Sequence, residues 1–276
     1  MDITFQQKKD YKFSGVKTSL LLSVYIKNTT EEINLCFESI HKQKRLPEEI
    51  ILILDGPIEN SVSTEIKKWC NFLPLKVFKL NENMGLANAL NYGMKMCKND
   101  WVFRMDIDDV CAEDRFSKQI EIINSKADVD ILGGNILCFE TFPVFFSGRT
   151  VPTSFEEIQR FIKFRNPLNH SSVFFNRQKI LDIGGYPNAR LGQDYLLWIN
   201  AIKNGLKILN TNDVLVFMKV DKNIYSRRGL RNIKYDSYPY ISMYKNKITN
   251  FFELLIGLFL RLTYCTYCSI RSKFNS

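Results

Sequence analysis

Short apolar runs alternating with helix-period segments constrain this chain more than any other feature. Ser19-Leu-Leu-Leu-Ser-Val-Tyr25 and Glu49-Ile-Ile-Leu-Ile-Leu-Asp55 are continuous apolar runs bounded by polar residues, the pattern of strands buried on both faces. Leu75 to Leu80 and Trp101 to Met105 read as further strands. Between them Ile33, Cys36, Phe37 and Ile40 recur at helical spacing behind Thr29, Thr30 and the acidic pair Glu31-Glu32. Ser63 to Phe72 and Met84 to Cys97 are the next predicted helices. Such alternation predicts a mostly parallel α/β sheet flanked by helices. Ligands of such sheets bind beyond the carboxyl ends of the strands, where Asp55 and Asp106 to Asp109 are expected to lie.

Beyond Asp130 the alternation loosens. Ile131 to Phe139, Val144 to Arg149 and Ser172 to Asn176 read as strands, with two more near Lys207 and Val214; Ser154 to Phe164 and Gln193 to Asn204 read as helices. The absence of a repeat or a Gly/Ser-rich hinge predicts a second subdomain sharing the sheet. We divide the chain into an extension (1–17), a first subdomain (18–135), a second (136–235) and a tail (236–276).

Composition narrows the partners. The 276 residues are 45% hydrophobic and 24% charged, which excludes a disordered chain. Of the net charge of +9, all resides from Lys203 onward, with thirteen Lys and Arg against four Asp and Glu. A basic end suits an anionic partner: a phosphate-bearing substrate, a membrane surface or a nucleic acid. No nucleic-acid reader motif accompanies it, so nucleic acid is not an expected partner. Seven cysteines, an odd count, and a polar start without an export segment predict reduced thiols in the cytosol. Cys265-Thr-Tyr-Cys268 lacks a second pair or a nearby His, and reads as structural.

Arg104-Met-Asp-Ile-Asp-Asp109 sets three carboxylates within four positions after a strand. Close carboxylates resist joint ionisation, and a hard divalent cation that shares oxygen ligands with a diphosphate relieves the conflict. A solvated acidic turn before a helix is the competing reading. Upstream, Asn83, Gly85 and Gly93 punctuate Asn81-Glu-Asn-Met-Gly-Leu-Ala-Asn-Ala-Leu-Asn-Tyr-Gly93. Gly93, inside a predicted helix, calls for close packing or ligand access, since it costs up to about 1 kcal/mol relative to Ala.

In order and spacing these motifs resemble family 2 glycosyltransferases of the GT-A fold, such as those of bacterial surface-polysaccharide synthesis. The matching residues are Ser23-Val24-Tyr25, Asp55-Gly56, Asn83-x-Gly-Leu-Ala-x-Ala-x-Asn-x-Gly93 and Arg104-x-Asp-x-Asp-Asp109. Asn166-Pro-x-x-His-Ser-Ser172, Gly184-Gly-Tyr186 and Gln193-Asp-Tyr-x-Leu-Trp198 continue the pattern, over about residues 18 to 235. The resemblance implies an inverting sugar transferase using a nucleotide-sugar, most often a UDP-sugar, with Mn²⁺ or Mg²⁺ as cofactor. It implies that Ser23, Val24, Tyr25, Asp55, Asn83, Gly85, Arg104, Asp106 and Asp108 bind the nucleotide-sugar. Asp106, Asp108 and Asp109 would serve the metal, and Asp194 would be the catalytic base. The chain departs from the family's usual pattern at Leu54-Asp55-Gly56-Pro57, where one carboxylate stands in place of two, and at Gln193-Asp194, where Gln replaces Glu.

His170, Trp198, Arg227 and Arg228 are further candidates for diphosphate or acceptor contacts. A structural histidine, a core aromatic and a solvated basic loop are the respective alternatives. His41 is expected on an exposed helix end, without a role. In the tail, Asn246, Asn250, Glu253, Gly257 and Arg261 share one narrow strip of a helical wheel, and apolar residues cover the rest. Arg261 disfavours a membrane span, since Arg at a bilayer centre costs about 2.5–3.5 kcal/mol or more. A helix lying on an anionic membrane surface is expected, or one packed on the protein's own domain or on a partner subunit. The chain is thus expected to be a cytoplasmic enzyme, peripheral on the inner face of the cell membrane, acting on a lipid-linked saccharide. A sugar nucleotidyltransferase and a non-catalytic membrane-docked scaffold are the other readings considered.

Overall fold

The structure, a computed structural model, describes residues 15–126, 128–220 and 229–274. A nine-stranded sheet runs in the order β3-β2-β1-β4-β8-β6-β9-β5, with β7 hydrogen-bonded to β6. Its strands are β1 (Thr18–Val24), β2 (Glu49–Leu54), β3 (Leu75–Lys79), β4 (Trp101–Arg104), β5 (Val110–Cys111), β6 (Ile131–Phe139), β7 (Phe145–Arg149), β8 (Phe174–Asn176) and β9 (Ile208–Lys219). The first four strands pair in parallel. From β8 onward the pairing is antiparallel except between β6 and β9.

The period of two in β1 and β2 explains the two cores. Leu20, Leu22, Ile50 and Leu52 point to the face covered by α1 (Thr30–His41), α2 (Asn60–Trp69) and α4 (Arg115–Ser125). Leu21, Ile51 and Ile53 point to the other, beneath α3 (Leu86–Met96) and α7 (Gln193–Lys203). The smaller helices α5 (Phe155–Phe161) and α6 (Arg177–Asp182) add Ile158 and Ile180 to that second core. α1 and α5 both start in capping boxes, Thr29 with Glu32 and Ser154 with Glu157. His41 is half-buried, edge-on to Trp69 and Phe72, rather than on the exposed end expected.

Gly93 is explained by packing. A Cβ there would stand 2.3 Å from Leu21 Cδ1 and 3.0 Å from Ile53 Cγ1, so its absence lets α3 lie directly on β1 and β2. Gly93→Ala is therefore expected to lower stability by about 1–2 kcal/mol despite alanine's better helix propensity. Urea unfolding checks this, and an unchanged or raised midpoint would refute the packing argument.

Three elements differ from expectation. The strands anticipated near Lys207 and Val214 are one strand, β9, whose parallel ladder with β6 slips at Asn135. His170–Ser172 is a 3₁₀ turn, and β8 starts only at Phe174. A helix at Ile233–Lys245, containing Pro239, precedes the C-terminal helix Phe251–Phe274.

The sheet curls at one point. Four strand spacings separate β4 from β5, about 19 Å if the sheet were flat. Only residues 105–109 join these strands, and they fold into a turn in which the Asp109 N–H donates to the Asp106 carbonyl at 3.3 Å. The far end of the sheet must roll toward β4 to meet that turn.

Candidate active site

The parallel strands bring Tyr25, Asp55 and Asp106 to one edge, each just past a carboxyl end. At the end of β2 the Asp55 N–H donates to the Val24 carbonyl (2.7 Å). Its carboxylate accepts the backbone N–H groups of Met84 (2.7 Å) and Gly85 (3.1 Å), while Asn83 Nδ2 donates to its carbonyl (3.3 Å). Gly56 makes this clip fit: its φ is +86°, and a Cβ would stand 2.6 Å from the Asn83 nitrogen. Asp55 is consequently buried and ties the Asn83–Gly85 loop to β2. Asn83 stays exposed, and Gly85 starts α3 with a φ of +84° and open space beside it.

On β1 the expected trio separates. Tyr25 is 40% exposed and Ser23 half-buried, but Val24 is fully buried in the core. The Val24 carbonyl is already bonded to Asp55, so its expected ligand contact is not supported.

The carboxylate turn is built around Arg104. This guanidinium is 1% exposed and its Nη2 meets Asp106 Oδ1 at 2.5 Å, while Arg115 Nη2 donates to the Arg104 carbonyl at 2.8 Å. Arg104 thus orients Asp106 from below the surface. Burial opposes charge on Asp106, but Arg104 outweighs it and holds the carboxyl below the ordinary range. The side chain of Asp106 remains 39% exposed. Asp108 has no such partner: burial, then the charges of Asp106 and Glu32, push it up to about 7. Asp109 is driven well above the ordinary range, first by burial and then by Asp106 and Asp108. It is 1% exposed and accepts the Lys219 N–H at 2.9 Å.

The three carboxylates therefore do not form the expected metal set. Asp109 turns inward to fasten β9 to the turn, and among the described residues no three His, Cys, Asp or Glu side chains are placed to hold a metal. Asp106 and Asp108 still fit a hard cation. They offer oxygen donors on one turn, and the negative surroundings that raise Asp108 are what a cation relieves. Diphosphate oxygens and water would supply the remaining ligands.

The opposite side of the site comes from the second half of the chain. α7 starts after Gly192, whose φ is +71°, and carries Asp194 in its first turn. Asn166 Nδ2 donates to Asp194 Oδ2 at 2.6 Å, while Asn166 Oδ1 accepts the Leu168 N–H at 3.2 Å and its carbonyl accepts from Arg149. His170 Nε2 and the Tyr186 hydroxyl are hydrogen-bonded at 2.9 Å. Burial, and then Arg104, lower the His170 imidazole to about 4, so it is neutral near pH 7 and supplies no positive charge for a diphosphate. The charges of Asp194 and Asp106 oppose that lowering of His170 but are outweighed by burial and Arg104. Trp198 is fully buried behind His170, with ring centroids 6.3 Å apart, and is a core aromatic rather than a contact residue. Arg227 and Arg228 lie outside the described residues.

Several residues without an assigned role hold the site together. Asn91 donates to the Tyr186 carbonyl and accepts the Tyr186 N–H, each at 2.8 Å, joining α3 to the second half of the chain. Lys219 Nζ pairs with Glu32 at 2.9 Å, and Asn166 orients Asp194. Asn91, Tyr186 and Asn166 were visible as motif members. Lys219 carries no sequence signal, since its partner is 187 residues away.

Comparison with known proteins identifies the family and the fold. Residues 21–184 match the family model described as "Glycosyl transferase family 2". An uncharacterized glycosyltransferase of Haemophilus influenzae is 38% identical over 246 residues, 88% of this chain and 90% of that protein. The amylovoran biosynthesis glycosyltransferase AmsE of Erwinia amylovora is 34% identical, covering 83% and 85% respectively. The UDP-Gal:alpha-D-GlcNAc-diphosphoundecaprenol beta-1,3-galactosyltransferase of Escherichia coli is 36% identical, covering 79% of each chain. Among solved structures, the mannosyltransferase PcManGT of Pyrobaculum calidifontis, in complex with GDP-Man and Mn²⁺, superposes with a TM-score of 0.65. It is 13% identical, with 98% of this chain and 80% of that one covered, and it shares the GT-A fold.

Proposed function

The chain belongs to glycosyl transferase family 2, and on that premise we propose that it transfers a sugar, with inversion, from a UDP-sugar to a hydroxyl of a lipid-linked saccharide in surface-polysaccharide synthesis. The observation that carries this reading is a pair of fixed carboxylates from opposite halves of the chain: Asp106, held by Arg104 just past β4, and Asp194, held by Asn166 in the first turn of α7. A single displacement needs charge stabilisation on the leaving side and a proton acceptor on the attacking side.

Asp194 is the base. With Oδ2 held by Asn166, Oδ1 is left to take the proton as the acceptor oxygen forms its bond to the anomeric carbon. The bond from that carbon to the diphosphate oxygen breaks on the opposite face, and the nucleoside diphosphate leaves. Asp106 and Asp108 would hold Mn²⁺ or Mg²⁺, which when bound neutralises diphosphate charge. Arg104 keeps Asp106 ionised for that task, and Asp109 fixes the turn to β9. Tyr25 offers its exposed ring to the nucleoside, and Asn83 and Gly85 are presented beside it by Asp55. The lipid-linked acceptor and the uridine nucleotide are supported by the substrate name of the E. coli relative, and polysaccharide synthesis by the E. amylovora one.

Calorimetric titration of UDP and of GDP, each with Mn²⁺ and with chelator, tests the donor side. UDP is expected to bind in a metal-dependent manner and GDP at least tenfold more weakly. Equal binding, or binding indifferent to chelator, would overturn the donor and cofactor assignments.

A further inference from the structure

The C-terminal helix is amphipathic in the opposite sense to an ordinary surface helix. Its polar and small strip faces the protein. Arg261 pairs with the buried Asp236 at 2.6 Å, and Glu253 pairs with Lys163 at 2.7 Å. Gly257 permits the contact, because a Cβ there would meet the Tyr240 ring at 2.5 Å. Cys265 and Cys268 are buried along the same side. The apolar side faces outward: Phe252 is 75% exposed and Phe259 63%, with Leu255, Ile256, Leu262 and Tyr267 also exposed. An apolar surface of this extent on a docked helix marks an interaction site.

Charge identifies the occupant. Both acidic residues of the last two helices, Asp236 and Glu253, are engaged in ion pairs within the protein. The exposed Lys245 and Lys247 lie just before one end of the apolar face. Arg271 stands at the other end, where the Leu230 N–H donates to Ser269 Oγ and so brings the exposed Arg231 alongside. An apolar strip with basic residues at both ends is complementary to acyl chains beneath anionic head groups.

We propose that the C-terminal helix lies flat in the head-group region of an anionic bilayer, with its apolar side in the lipid and its Arg261 strip fastened to the domain. The 22 residues Phe251–Ser272 contain an 18-residue stretch of mean hydropathy 1.4 and are also long and apolar enough to cross a membrane. Crossing would separate Arg261 from Asp236 and draw the guanidinium into hydrocarbon. The flat orientation also sets the height of the site. α7, with Asp194 in its first turn, rests on the Ile233–Lys245 helix through Tyr195 against Tyr240, and Arg190, in the loop before α7, lies over the Tyr235 ring. That helix carries the C-terminal one, so at most two interaxial steps, about 16–20 Å, separate the base-bearing helix from the lipid-facing helix. This rests on the glycosyltransferase reading only for its acceptor: a saccharide anchored in the same bilayer reaches Asp194 without leaving it.

Flotation of the full chain with vesicles tests the proposal, using phosphatidylcholine alone and phosphatidylcholine with one-third phosphatidylglycerol. The chain is expected to float with the anionic vesicles, and Phe252→Glu/Phe259→Glu to lower the bound fraction at least tenfold while UDP affinity stays within twofold. A C-terminal tag on vesicle-bound protein should remain open to protease added outside. Failure of the wild-type chain to float, protection of the tag, or a lipid-indifferent dimer that the double substitution dissociates would each overturn the proposal. Vesicle binding by a chain that fails to bind UDP would uphold the docking and count instead against the donor reading.

Discussion

Asp194→Asn is expected to lower turnover by about 10²–10⁴-fold, the range associated with loss of a positioned general base. Asparagine keeps the side-chain shape and an oxygen to accept the Asn166 amide, so the first turn of α7 should remain in place. UDP affinity should change by less than about twofold, because Asp55, Asn83 and Asp106 belong to the other half of the site. The effect should therefore fall on turnover and spare donor binding, the signature of an interaction made only in the transition state. Initial rates at saturating donor, set beside calorimetry on the same preparation, check both parts. A loss smaller than tenfold would remove Asp194 from the base position.

Asp108→Asn should separate stability from activity. Burial and the charges of Asp106 and Glu32 raise the folded-state pKa of Asp108 to about 7, from an ordinary value of 3.8. Between about pH 4 and 7 the folded protein holds a proton that the unfolded chain has released, so stability falls as pH rises through this window. Above it the full cost of the ionised carboxylate is present. Without metal or nucleotide, the asparagine variant should match the wild type near pH 4 and exceed it at pH 8, by on the order of 2 kcal/mol. Turnover should nonetheless fall by about 10²-fold or more, because on the proposed reading Asp108 presents a negative oxygen to the donor's diphosphate and its cation. Urea denaturation at the two pH values, in chelator, measures the first part. A variant less stable at pH 8 would mean that Asp108 is stabilised as an anion by the fold itself.

Much of the architecture was legible because β1 and β2 are uninterrupted apolar runs and α1 announces itself with Thr29 and Glu32. The second half was harder for identifiable reasons. β9 contains Asn210, Asn212 and Asp213, which read as a turn between two strands. In the structure Asn210 bonds to the Pro152 and Pro167 carbonyls, and Asp213 to Lys118 and Thr211, so long-range partners override the local signal. Pro239 concealed the Ile233–Lys245 helix, whose packing against Tyr195 and Gly257 appears only in three dimensions. Motif position singled out Asp106, Asp108 and Asp194 as candidates but did not distinguish residues open to solvent from those buried in support of them. Arg104, Asp55 and Asp109 belong to the second group: each is buried, and each spends a charged atom on a partner within the protein, Asp106, the Met84 and Gly85 N–H groups and the Lys219 N–H respectively. The tail's wheel showed the polar strip correctly, yet which side faced the domain depended on Asp236, which sequence inspection had not paired with Arg261.

The turn at residues 105–109 has a further consequence. It is the hem along which the sheet rolls over to place β5 beside β9, and its length is dictated by the distance it must close. Adding or deleting a residue there would shift Val110 out of step with Phe217 and turn the flanking side chains to the wrong faces. Loop-length variation, the usual means by which a scaffold acquires new specificities, is thus closed to the carboxylate turn. The β6–β7 hairpin at residues 140–144 joins two strands that are already neighbours, so its length is not set by closing the sheet. In descendants of this chain, insertions should accumulate at that hairpin while the segment from Arg104 to Val110 keeps its length.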